Sequence, residues 1–174
     1  MKDLARPLFS TCCRLVGFML VLVLLFGCQS LSFDPKGHTV PESSWISLPQ
    51  SGESSGTWTN EDLTLAYNFA RNQSQLNISG TIQFADRITD SFRIIQYFHL
   101  DAIPVDAQGK VLDMIGLTAA GQVNTLFDRS VDFRNNLTLP PDTAAIAFRY
   151  RGRAYESDGG DGGGIMDFWE YPVY

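Results

Sequence analysis

From residue 57 onward, apolar and polar residues alternate along the chain. Leu63, Leu65, Tyr67 and Phe69 fall on one side of their segment, with Thr64, Ala66 and Asn68 on the other. Leu76, Ile78, Ile82 and Phe84 repeat the pattern against Asn77, Ser79, Thr81 and Gln83, and Val131, Phe133, Leu137 and Leu139 do so again. Near the C-terminus Ile146, Phe148 and Tyr150 oppose Ala147, Arg149 and Arg151. A period of two predicts strands with one face on a core and one in water. Arg93 to Val105 is more continuously apolar and predicts a central strand covered on both faces, with Pro104 marking its end. Asp106 to Lys110 then reads as a turn, and Val111 to Leu117 as the returning hairpin partner. No long segment carries a helical stripe; Gln122–Arg129 is the one expected short helix.

Six or seven strands joined by short turns, without strand–helix–strand alternation, predict an all-β domain. The expected architecture is an antiparallel β-sandwich, immunoglobulin-like in general shape, with a small closed barrel as the alternative. The phrase FHLDAIPVDAQGKVL, Phe98 to Leu112, resembles hairpins of immunoglobulin-like domains in bacterial surface lipoproteins.

The N-terminus is of a different kind. Lys2, Arg6 and Arg14 precede an uninterrupted apolar run from Leu15 to Phe26. A membrane-spanning helix needs about 20 apolar residues; this shorter run with a basic flank reads as a signal peptide, the alternative being an uncleaved signal anchor. Leu25-Phe26-Gly27-Cys28 resembles the lipobox of bacterial lipoproteins, with Phe26 departing from the small or β-branched residue usual there. The resemblance implies cleavage before Cys28 and lipidation of that cysteine by diacylglycerol and a further acyl chain of the palmitate type. It also implies a lipid anchor in the bacterial cell membrane, with the domain facing the periplasm. Gln29, rather than Asp, favours the outer membrane within that habit.

The expected organisation is therefore a signal peptide at 1–27, a tether at 28–56 and a β-domain at 57–174. Residues 29–56 hold eight Ser, three Pro and three Gly, which is loop chemistry. Within them Trp45, Ile46 and Leu48 are expected to pack on the domain as a short edge segment. Removing residues 1–27 takes away three bases and one acid, so the formal net charge of −6 becomes −8. Such acidity speaks against nucleic-acid binding through phosphate contacts and leaves anchoring to the acyl chains.

Candidate chemistry is sparse. Cys12 and Cys13 belong to the discarded segment and Cys28 to the anchor, so the domain has no thiol for a disulfide, a nucleophile or a zinc site. His99 and Asp101 share a strand face, but no nucleophile signature accompanies them, and a surface histidine is expected. Asp158 and Asp161 sit in a glycine-rich stretch at 158–164 that reads as a hinge, without the ligand density of a calcium loop. The aromatic C-terminus, with Phe168, Trp169, Tyr171 and Tyr174, is expected to dock back as a terminal strand. Arg149, Arg151 and Arg153 project from one face, either to receive carboxylates or phosphates or to pair with neighbouring acids such as Asp132. Trp58 is the aromatic expected to be exposed for ligand contact.

Together these features predict a non-enzymatic interaction module with no metal and no cofactor, docking on another envelope protein. The alternative is a carbohydrate- or glycolipid-binding module using Trp58 or the three arginines.

Overall fold

A computed structural model describes residues 34–125, 128–156 and 163–174. The lipobox, Cys28, and the Asp158–Asp161 stretch lie outside the described residues, as do Leu126 and Phe127 within the expected helix. The alternating segments form strands in two antiparallel sheets. The first sheet joins β2 (Gly52–Thr59), β3 (Leu63–Asn72), β4 (Gln75–Phe84) and β8 (Ser130–Thr138), in the order β2-β3-β4-β8. The second runs β1 (Ile46–Ser47), β9 (Ala145–Tyr155), β5 (Ile94–Val105), β6 (Ile115–Ala120). β10 (Ile165–Glu170) adds to β9, and β7 (Val123–Asn124) adds to β5. Among the described residues no helix is long and apolar enough to cross a membrane.

The two sheets face each other across the side chains the alternation marks. Leu65, Phe69, Leu76, Ile78 and Ile82 from the first sheet meet Phe98, Leu100, Phe148 and Tyr150 from the second, all essentially buried. Aromatic rings dominate this layer. Phe98 stacks on Tyr150 with centroids 6.0 Å apart and meets Phe84 edge-on at 5.1 Å, adding to the area each ring hides from water. This is the expected all-β sandwich, with ten strands among the described residues where the alternation predicts six or seven; two of them, β1 and β7, are only two residues long.

Three expectations shift. The ordered fold begins well before residue 57: β1 and the first five residues of β2, Gly52 to Gly56, arise from the segment expected to be tether, and β2 pairs with β3 along its full length. Serine-rich composition read as loop chemistry, but serine and threonine on the wet face of an edge strand satisfy the same pattern. Trp45, Ile46 and Leu48 pack on the domain as expected. Secondly, Val123–Asn124 is a strand where a helix is expected, and a single helical turn, α1 (Asp86–Thr89), stands elsewhere, buried through Ile88. Thirdly, Val111 bridges Val105 and Leu112 N–H donates to Pro104 O at 2.9 Å, but Asp113 and Met114 fall outside any strand before β6 begins at Ile115.

A small third layer lies at this end of the sheet. Ile103, Val105, Ala145 and Ala147 lie on the outer face of the second sheet, where Val40, Val111 and Val173 cover them. The cover is tied by backbone hydrogen bonds: Val40 N–H to Gly109 O at 2.8 Å, Val111 N–H to His38 O at 2.8 Å, and Tyr174 N–H to Thr39 O at 3.0 Å. The Trp45 indole N–H donates to Val40 O at 2.9 Å. Gly109 makes this possible. Its φ is +79°, and a Cβ there would strike the Trp45 ring and Val40 O.

Candidate binding face on the second sheet

The third layer covers only one end of the outer face of the second sheet. Beyond it, register sets three rows across β5, β9 and β10. Asp101 pairs with Arg149; His99 with Arg151 and Trp169; Tyr97 with Arg153 and Asp167. The three arginines thus share a face, as their spacing predicts, but their surroundings differ.

Arg153 is held in a fork by Asp167, with Nε at 2.6 Å and Nη2 at 2.9 Å from the two carboxylate oxygens. Its guanidinium also lies 5.9 Å from the Tyr97 ring centroid. The pairing, first through the hydrogen bond, holds the Asp167 carboxyl below the usual range. Arg149 lies 3.8 Å from Asp101 and 4.7 Å above the centroid of Tyr171. Burial pushes the Asp101 carboxyl above its ordinary value, and Arg149, His99 and Arg151 pull back against that rise. The acids that pair with the arginines are therefore Asp101 and Asp167. Asp132 stands on the first sheet and accepts from Thr81 Oγ1 at 2.5 Å instead.

Arg151 is the exception. It is exposed, and among the described residues it forms no ion pair or hydrogen bond. On one side of it stands Trp169, 66% exposed, on the other the half-buried His99. Ile165, 68% exposed, lies on the same face of β10 two positions before Asp167. A large aromatic, an aliphatic and a guanidinium that forms no ion pair among the described residues thus share a face on an edge strand and its neighbour. Exposed apolar surface next to an arginine is the composition of an interface centre.

Trp58 does not belong to this face. It turns inward from β2, 5.6 Å from the Phe148 ring and 6.0 Å from that of Tyr150. Its position alternates with Thr57 and Thr59, which face water. The exposed tryptophan is Trp169, in the C-terminal segment expected to dock back as a terminal strand. β10 does dock, burying Phe168 against the core, but strand alternation turns its neighbour Trp169 out.

One buried polar cluster ties the sheets at their end. Asp62, 4% exposed, accepts from Tyr150 Oη at 2.6 Å and pairs with Arg87 of α1. Asn60 donates to Tyr150 Oη at 2.7 Å and its Oδ1 accepts from the backbone N–H groups of Asp62 and Leu63. Burial first, then the Asp62 hydrogen bond, raises the Tyr150 phenol far above its ordinary value. Every strong group in the cluster already has a partner within it, so it reads as a clamp between layers. His99 and Asp101 share the outer face of β5, with no serine, threonine or cysteine in the rows beside them. No group of three His, Cys, Asp or Glu side chains able to hold a metal is found among the described residues.

Comparison with protein-family models, with curated proteins and with solved structures finds no match to this chain.

Proposed function

We propose that this chain is a lipid-anchored protein of the bacterial cell envelope, cleaved before Cys28, lipidated there and facing the periplasm, with the outer membrane as its site. Its β-sandwich, immunoglobulin-like in this reading, is a non-enzymatic module that docks on another envelope protein. The observation that supports docking is the row Trp169–Arg151–His99, with Ile165 on the same face of β10 beyond the Asp167–Arg153 row. The apolar groups gain by leaving water, at roughly 25 cal/mol per Å², and Arg151 selects a partner bearing a carboxylate at the matching place.

The anchor is tested by mass spectrometry of the membrane-extracted protein: the expected N-terminus is an acylated Cys28, and Cys28→Ser leaves an uncleaved precursor. An unmodified Met1 refutes it. Docking is tested by cross-linking in intact cells followed by detergent extraction. Arg151→Glu together with Trp169→Ala is expected to abolish a stoichiometric cross-linked complex whose cross-links map to β9 and β10. A complex that survives both substitutions refutes this face.

The same row supports a second reading, an anionic glycolipid headgroup stacked on Trp169 with its charge on Arg151. Vesicles containing lipopolysaccharide separate the two, because glycolipid binding needs no protein partner.

A further inference from the structure

The opposite face of the molecule carries a different chemistry. The outer face of the first sheet is hollow, with a cavity of about 530 Å³ lined by Glu53, Ser55, Asn68, Asn77, Ser79 and Arg134, among others. Register explains the hollow. One row across all four strands reads Ser55, Asn68, Ser79, Arg134 and the next reads Glu53, Ala70, Asn77, Asn136. On the other side lies Thr57, Ala66, Thr81, Asp132. Short side chains occupy the middle of the face, with Ala66 and Ala70 flanking Asn68. The longer Glu53 and Arg134 stand on the two edge strands, three strand spacings or about 14 Å apart.

The hydrogen bonding divides along the same line. Around the hollow, polar side chains close on each other: Thr81 on Asp132, Gln75 on Thr138 at 3.0 Å, and Thr59 with Thr64 at 3.3 Å. Inside it, Asn68, Asn77, Ser79, Arg134 and Glu53 make no side-chain hydrogen bond or ion pair among the described residues. The hollow therefore offers amide, hydroxyl, guanidinium and carboxylate groups of both donor and acceptor kind. It has one positive and one negative charge, and the aromatic residue that lines it, Phe69, is buried.

From this arrangement the geometry points to a neutral, hydroxyl-rich ligand, a glycan chain, bound across the four strands. Phe69 and Ile78 also line the hollow but are buried, so an apolar ligand would meet chiefly polar side chains, and an anion would meet Glu53 as well as Arg134. A run of hydroxyls, each donor and acceptor, matches a floor of asparagine amides and serine hydroxyls, and the volume lies in the range of small-ligand sites, about 300–1,000 Å³. The site is independent of the docking face, which lies on the other sheet.

The test is isothermal titration calorimetry of the detergent-solubilised full chain with two probes, a neutral hexose oligosaccharide and an N-acetylhexosamine oligosaccharide. At least one is expected to bind saturably. Asn68→Ala with Asn77→Ala is expected to weaken that binding at least about tenfold, the loss of two good hydrogen bonds. Circular dichroism checks that the variant is folded. Arg151→Glu with Trp169→Ala leaves sugar binding unchanged, so failure of the docking face and failure of this site are separable. The proposal is overturned if neither probe binds, if binding survives in the asparagine variant, or if a neutral extended peptide displaces the sugar at equal concentration.

Discussion

Tyr150→Phe isolates the clamp that joins the two sheets. The substitution removes one oxygen and leaves the ring, so the packing of Phe98, Phe168 and Trp58 around it persists and no cavity of consequence opens. What is lost is the 2.6 Å bond to Asp62 and the 2.7 Å bond from Asn60. A hydrogen bond to a charged group contributes about 1.5–3 kcal/mol. Asp62 keeps Arg87, and the Asn60 amide still has Glu170 at 3.5 Å, so the penalty stays near the middle of that range, about 2 kcal/mol. For a domain of this size that corresponds to a fall of roughly 4–8 °C in melting temperature. Urea unfolding at neutral pH, followed by circular dichroism, measures it, with an unchanged m-value expected. Tyr67→Phe is the internal control. Tyr67 packs through its ring, 4.6 Å from that of Phe69, and its hydroxyl has no protein partner among the described residues. Its loss is expected to stay within about 0.5 kcal/mol. The phenol adds a pH signature. The folded-state value of Tyr150 is raised, so its contribution is fully present below the unfolded value near 10 and is lost as pH rises beyond it. Wild type should therefore lose stability above about pH 10 more steeply than Tyr150→Phe. Equal stability of the two proteins at neutral pH, or parallel alkaline limbs, would refute the clamp.

Gly152 faces Phe168 across β9 and β10, and a Cβ there would enter the phenyl ring; Gly152→Ala is expected to cost about 1–3 kcal/mol by overpacking, read from chemical denaturation. Gly109→Ala should release the third layer, with faster proteolysis between residues 38 and 47 while the sandwich core persists; unchanged cleavage there would show that the turn does not hold the layer. Asp101 has a raised folded-state pKa, mainly from burial, so its contribution is present at low pH and lost as pH rises through that value. In Asp101→Asn the melting temperature relative to wild type should accordingly climb between about pH 3 and pH 7, and a decline over that interval would mean that Arg149 outweighs burial.

Local pattern alone marks most of the sheet. Gln75–Phe84 is a strand in the structure over the residues whose alternation announces it, and Ile94–Val105 and Ala145–Tyr155 pair as the two long central strands of the second sheet. The period of two is a property of one chain segment, so it is readable without knowing the partner. The same period places Arg149, Arg151 and Arg153 on one face. β2 escapes the pattern because its inward positions are Ser54, Gly56 and Trp58, and only one of these is apolar. Its strand state is imposed by pairing with β3. The helix expected at Gln122–Arg129 yields at Val123–Asn124 for a similar reason: β5 offers an edge there, and tertiary pairing outweighs a weak local preference.

What the sequence by itself determined is the alternation, the all-β class, the cysteine-free domain and the sharing of a face by the three arginines. Those follow from residue type and spacing. Which arginine forms no ion pair among the described residues, which tryptophan reaches water and where the polar hollow lies are decided by register between distant segments. Asp167 meets Arg153, and Asp101 meets Arg149, only because β10 and β5 flank β9 in that alignment. A shift of one residue in either pairing would turn every such side chain to the other face. The binding surfaces thus depend on strand register, which no single segment encodes.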